Sequence, residues 1–159
     1  MTEEKWLTAP QLHAWLRFVA VLELLPGVLD SQLQRDAELS HFEYFVLAML
    51  SEAPDRTLRM TALSDHTNAT LPRLSHVVAR LERRGYVQRT PCPEDRRATN
   101  ASLTEAGWQK VVASAPGHVR TVRENVVDLL TDEQIGQLEA ISDTLLRNLD
   151  PEHRMLSRE

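Results

Sequence analysis

The sequence predicts a mainly α-helical chain carrying one small β-hairpin, and three observations point there. Apolar residues recur at helical spacing along most of the 159 residues. Aromatic residues make up only 5% and glycine is scarce at five, a composition that disfavours a sheet-rich fold. Two capping boxes, Ser40-x-x-Glu43 and Thr131-x-x-Gln134, mark helix starts in which side chains satisfy the first free backbone amides.

The elements follow in order. Residues 10–35 form a first helix, with Leu12, Trp15, Leu16, Val19, Leu22 and Leu29 on an apolar stripe and a kink expected at Pro26-Gly27. Ser40 opens a compact second helix rich in Phe42, Phe45, Val46, Leu47, Met49 and Leu50, ended by a turn at Pro54-Asp55. Thr61 to Asn68 is a short helix, and Asn68-Ala69 a turn. Thr70 caps the next helix; Pro72 is tolerated in its first turn, where amides lack intrahelical partners. That helix runs to Arg84 and ends at Gly85 in a left-handed cap. Strands follow at Tyr86–Thr90 and Thr99–Leu103, joined by the charged tip Pro91-Cys92-Pro93-Glu94-Asp95-Arg96-Arg97. Thr104 caps a long helix through Val111, Val112, Ala115, Val119, Val122, Val126 and Leu130, with Ala115-Pro116-Gly117 expected to bend or interrupt it. Thr131 starts the last helix, which carries Ile135, Leu138, Ile141, Leu145 and Leu149, and the polar tail after Pro151 is expected to fray.

Charge is unevenly placed. The chain carries −5 in all, yet Thr70 to Arg97 holds seven arginines against three acids, a local +4. Residues 1–69 carry −5 and residues 98–159 carry −4. A basic segment on an acidic protein marks a surface that meets a polyanion, with the acidic flanks orienting the encounter. No run of about 18 uncharged apolar residues occurs, so neither a membrane span nor a membrane partner is expected. The acidic, polar start is unlike a signal peptide. A single cysteine, Cys92, excludes an intramolecular disulfide and suits a reducing cytoplasm.

A short helix, a tight turn, a second helix and a hairpin make a winged helix-turn-helix. At about 100° per residue, Leu74, Val77, Val78 and Leu81 share one face of the helix that begins after Thr70. Pro72, Ser75, His76, Ala79 and Arg83 lie opposite, flanked by Arg73 and Arg80. A major groove admits such a helix, its first turns reaching base edges. Arg73 and His76 are the candidate base readers; Thr70, Ser75 and Arg80 suit phosphate or mixed contacts. The tip, Asp95, Arg96 and Arg97, suits a minor groove, with Asp95 expected to stiffen it by pairing with a neighbouring arginine.

The segment LPRLSHVVARLERRGYVQRTPCPEDRRATNASLTEAGWQKV resembles the DNA-binding core of the MarR family of winged-helix repressors. The matching pieces are Arg80-Leu81-Glu82-x-x-Gly85-Tyr86-Val87-x-Arg89, then Asp95-Arg96-Arg97, then Leu103-Thr104-x-x-Gly107. The resemblance implies a homodimer and a sequence-specific regulator, a repressor, that grips double-stranded DNA at a pseudo-palindrome. It implies a helical dimerisation region from residues 8–35 and 108–149 around a winged domain at 36–107. It also implies a pocket for a small aromatic or phenolic effector between the two. Trp15, Arg17 and His41 are candidates to line that pocket, and Arg89 joins the DNA-binding set. Two departures stand out. Thr67 replaces a usually buried aliphatic residue, and Pro72-Arg73 replaces small polar residues early in the reading helix.

Other classes are open. Cys92, on what reads as an exposed wing, permits a redox sensor. Six histidines (His13, His41, His66, His76, His118 and His153) form no tight ligand spacing, so no metal or other cofactor is expected, though a metal sensor stays an alternative. A ligand- or protein-binding module that kept the fold and lost DNA recognition is another. Ser64-Asp65-His66 cannot act as a triad, because consecutive helical residues diverge by about 100°. With no catalytic set and no glycine-rich phosphate loop, an enzyme is not expected.

Overall fold

The computed structural model describes residues 5–155. Six α-helices and a three-stranded antiparallel sheet follow in the order α1 (Ala9–Ala37), α2 (His41–Glu52), β1 (Thr57–Arg59), α3 (Met60–His66), α4 (Leu71–Arg83), β2 (Val87–Pro91), β3 (Thr99–Leu103), α5 (Glu105–Asn125) and α6 (Asp132–Leu149). The sheet order is β1-β3-β2, with Thr57 opposite Ser102 and Val87 opposite Leu103. β1 was not expected. Three residues are too few for an alternation to register, and their pairing partner lies 45 positions away, where the Thr57 and Ser102 hydroxyls meet at 2.8 Å.

One core forms between α2, α3, α4 and the sheet. Leu47, Leu50, Leu63, Leu74, Val78 and Leu81 are fully buried in it. The expected apolar face of α4, Leu74, Val77, Val78 and Leu81, is the buried one. α1 contributes only its C-terminal turns to the interior, through Gln32, Leu33 and Ala37, and α6 buries no residue. Most of both helices is an apolar surface without cover in one chain, Leu12, Trp15, Leu16, Leu22, Leu138, Ile141 and Leu145 among its residues.

Local chemistry fixes the boundaries. Both capping boxes are formed: Ser40 Oγ accepts from Glu43 N at 3.0 Å, and Thr131 Oγ1 from Gln134 N at 3.2 Å. Thr8 builds a third with Gln11 at the start of α1. Asn68, at φ 48°, takes the left-handed turn between α3 and α4. Thr67 is buried, and its hydroxyl donates to the Leu63 carbonyl at 2.7 Å, so the departure from an aliphatic residue leaves no unpaired polar atom. Gly85, at φ 79°, closes α4: its amide donates to Glu82 O, and that of Tyr86 to Leu81 O, a Schellman pair.

Several expectations need correcting. α1 continues through Pro26 and α5 through Pro116, so the interruption weighed at Pro116 does not occur. Both prolines are exposed, so the carbonyls they deprive of a donor can turn to water. α5 stops at Asn125, and Val127–Leu129 forms a separate 3-10 turn before α6. The tail does not fray through Met155. The Asp150 carboxylate accepts from the amides of Arg154 (3.0 Å) and Met155 (2.9 Å), and His66 Nδ1 donates to Arg154 O at 2.6 Å. The rest of the tail, 156–159, lies outside the described residues, as do Met1 to Glu4. By length and composition, α1 is apolar enough to cross a membrane, although Arg17 and Glu23 break it into shorter uncharged runs.

Of the five glycines, Gly107 has the closest neighbouring atoms. A Cβ there would stand 2.1 Å from Tyr86 O and 2.7 Å from Leu103 Cδ1. Gly107→Ala should therefore destabilise the domain by about 2–3 kcal/mol. Gly136→Ala, with nothing within 4 Å, should be neutral or stabilising by up to about 1 kcal/mol. Urea unfolding of the two variants beside the parent measures both.

Candidate nucleic-acid interface

α4 presents its polar face to solvent because its apolar face is consumed by the core. Thr70 caps it, accepting from Arg73 N at 3.4 Å. Thr70, Arg73 and His76 are exposed and Ser75 is half-buried. The Arg73 guanidinium lies 4.2 Å over the Phe42 ring of α2.

The wing stands beside this helix because three segments meet at one corner. Thr104 N donates to Tyr86 O (3.0 Å), Thr104 Oγ1 donates to Gly85 O (2.6 Å), and Gly107 N donates to Thr104 Oγ1 (3.0 Å). The end of α4, the end of β3 and the start of α5 are thereby fastened together. β2 is tied to α4 as well: Arg89 Nη2 meets Glu82 Oε2 at 2.8 Å, and Arg89 N donates to Glu82 Oε1 at 2.9 Å. The Arg89 amide and guanidinium hold the Glu82 carboxyl below its ordinary pKa, partly opposed by burial. Arg89 is thus committed to the frame, and so is Arg80, whose Nη2 lies 3.0 Å from the buried Glu43 carboxylate.

At the tip Arg96 and Arg97 are exposed. Asp95 does stiffen the loop, but through the backbone: Oδ1 accepts from the Arg97 amide at 3.0 Å, and no guanidinium pairs with it among the described residues. Asp95 sits two positions before that amide, the spacing of an Asx turn, and this leaves the arginine side chain outward. Between α4 and the wing lies a cleft of about 290 Å³ lined by Arg59, Thr61, Leu71, Ser75, Arg89 and Arg97. Arg59 is the contributor the sequence reading missed. It lies outside the basic segment and reaches the cleft only because β1 joins the sheet; it also pairs with Glu94 at 3.6 Å.

Cys92 is buried, contrary to the expectation of an exposed thiol. The loop folds over it, with Cys92 N donating to Ala98 O at 2.9 Å. Hydrogen bonding from the Glu94 amide lowers its pKa, against the effect of burial, with the Asp95 amide and Arg59 adding to the lowering. The three effector candidates find separate partners. Trp15 is exposed beside Phe18, with ring centroids 6.4 Å apart, and Arg17 donates to the His13 carbonyl at 3.0 Å. His41 is half-buried, 5.8 Å from the ring of His118, which packs 4.7 Å from Tyr44. His118 carries no spacing signal and emerged only with the packing of α5 on α2. Among the described residues no group of three or more His, Cys, Asp or Glu is placed to hold a metal ion.

A family model described as MarR family matches residues 39–98. Sco3205 of Streptomyces coelicolor, a MarR family transcriptional regulator solved in complex with DNA, shares 44% identity and a TM-score of 0.90 over 95% of this chain and 94% of its own. The chain belongs to the MarR family. Its likeness to AbsC, another MarR family regulator of that organism, is 35% in sequence with a TM-score of 0.84 over 94% of this chain and 98% of AbsC. PrsX, an HTH-type transcriptional regulator of Escherichia coli, is 30% identical over 112 residues, 70% of this chain and 67% of PrsX. The chain spans between 55% and 67% of the length of the first curated relatives it matches. MarR family proteins are transcriptional regulators rather than enzymes, in keeping with the winged architecture.

One pH effect follows from this geometry. Burial lowers the pKa of His41, against the pull of Asp30, and burial together with the charge of His41 lowers that of His118. The folded state then binds fewer protons than the unfolded one. Stability should hold above the ordinary histidine pKa of about 6.5 and decline below it. His118→Gln should flatten that decline, as read by urea unfolding at pH 7.5 and pH 5.5.

Proposed function

We propose that this MarR family chain is a dimeric, sequence-specific DNA-binding repressor. The observation that carries the reading is the shared outward aspect of two elements: the polar face of α4, with Thr70, Arg73, Ser75 and His76, and the wing tip, with Arg96 and Arg97. α4 enters the major groove, and the tip follows the adjacent minor groove. Arg73 and His76 read base edges; Thr70 and Ser75 hold phosphates. Arg80 and Arg89 serve this surface by fixing α4 and β2, and Asp95 by shaping the tip. Repression follows from occupying the duplex.

A second copy covers the apolar surfaces of the helical regions 8–35 and 108–149. Soluble monomers rarely leave so much contiguous apolar area in water. The fit of α1 to a membrane by length is the competing use of that surface, but α6 bares a matching apolar stripe, which suits a helix-on-helix seam. Two reading helices held about 34–36 Å apart then address half-sites one turn apart. A small aromatic or phenolic effector relieves repression by preferring a dimer with another spacing. Of its candidate contacts Trp15, Arg17 and His41, His41 sits where α2 meets α5.

Selection of bound duplexes from a random pool, followed by gel shift, tests the reading. A pseudo-palindrome should emerge, and failure to enrich any sequence overturns it. Arg97→Ala should weaken binding alike on selected and random duplexes and lower the salt slope by about one. Leu22→Asp should convert a sedimenting dimer to monomer and abolish tight operator binding. A parent protein that sediments as a monomer without detergent would remove the dimer.

A further inference from the structure

Arg73 and Arg80 of α4 and its C-cap residue Arg84 stand at i, i+7 and i+11, within about 20° of one line. All three meet the corner where α1 ends and α2 begins. Arg84 Nη1 donates to Glu38 O at 2.9 Å. Arg80 Nη2 lies 3.0 Å from Glu43 Oε1, and that carboxylate also accepts from Ser40 N at 2.8 Å. Arg73 Cζ lies 4.2 Å over the Phe42 ring. The first two are bound through their N–H groups. Arg73 differs: among the described residues its guanidinium has the ring contact and no hydrogen bond or ion pair.

That difference matters for recognition. A guanidinium carbon 4.2 Å over a ring leaves room for the two planes to lie face to face, with the N–H donors in the plane and pointing outward from the edge. This is the arrangement a bidentate contact to guanine requires. A free arginine loses much side-chain freedom on pairing with a base; a stacked one has lost part of it beforehand. Phe42 is half-buried, so its own ring is fixed by the domain. It belongs to the first turn of α2, which is tied to α1 where His41 N donates to Asp30 Oδ1 at 2.8 Å.

We propose that Phe42 is a positioning residue that sets sequence preference by holding the guanidinium of Arg73 edge-outward at the start of the reading helix. The inference rests on the assignment of α4 as the DNA-reading element. Phe42 touches no base itself. Its contribution appears as discrimination between sequences rather than as affinity for DNA in general.

The test uses the full chain and the duplex selected by the parent protein, with a random duplex beside it. Arg73→Ala should lower the selected-to-random affinity ratio roughly tenfold or more, with the loss confined to one base position of each half-site. Phe42→Leu should lower the same ratio about three- to fivefold at that same position, with random-duplex affinity unchanged. Phe42→Tyr, which keeps the ring face, should restore it. In the Arg73→Ala background Phe42→Leu should cost nothing further, since the interaction it supports is gone. Phe42→Met, which fills space without a ring, serves if Phe42→Leu shifts the urea midpoint. An unchanged ratio in both ring-less variants, with Arg73→Ala still losing it, overturns the role of Phe42 and leaves the DNA-reading assignment intact. Proportional loss on both duplexes in every variant shows that Arg73 only docks α4, and overturns both the inference and the assignment of Arg73 as a base reader.

Discussion

The arrangement of this winged domain hangs on a backbone contact that only glycine permits. Gly107 brings the first turn of α5 against Tyr86 O, and Thr104 spans the gap with bonds to Gly85 and Tyr86. The end of α4, the wing and the start of α5 are thereby joined at one corner. Because β3 ends there, the direction of the hairpin is set relative to α4, and the outward faces of helix and wing are presented together. The Arg89–Glu82 pair fastens the other side of the same hairpin. A half-buried ion pair with access to water contributes little stability by itself. Here it has a backbone amide bond in parallel, and its value lies in orienting β2.

The charge pattern marks the same α4 and wing surface that the fold exposes to solvent, while overstating how many arginines are free to project from it. Seven arginines give the segment from Thr70 to Arg97 its positive sign. In the folded chain Arg80, Arg84 and Arg89 bond to Glu43, Glu38 and Glu82, so they act on the geometry of the surface. Arg73, Arg96 and Arg97 project from it, and Arg59 joins them from a strand outside the segment. Counting charge along a chain measures the local field; which guanidiniums touch a ligand depends on which find partners inside the protein first.

This also explains what the sequence disclosed and what it withheld. Capping boxes, the Schellman glycine and the apolar face of α4 are local, decided within four or five residues, and they were readable in place. So was the Leu103-Thr104-x-x-Gly107 motif as a pattern, though its reason, the approach to Tyr86, needs the third dimension. β1, the His41–His118 contact, the Arg59 contribution and the bond from His66 to the Arg154 carbonyl each join residues far apart in sequence. No local preference announces them. The buried Cys92 is similar: the residues around it are polar and charged, and the shielding comes from the loop closing through Cys92, Asp95 and Ala98.

The apolar helices and the reading helix are not independent units. α1 is a bare apolar rod over most of its length, yet its C-terminal turns enter the core and its end supplies Glu38 O to Arg84 and Asp30 to the His41 amide. α5 reaches the same corner from the other side, through His118 against His41 and Tyr44. In the proposed dimer, a change in how α1 and α5 are held would reach residues 38–43 and, through them, Arg73 and Arg80 of α4 and its cap residue Arg84. Coupling between sites needs an element that both can bias. The corner between α1 and α2 meets that condition, because it is short, internally bonded, and in contact with α1, α5 and the arginines of α4 and its cap.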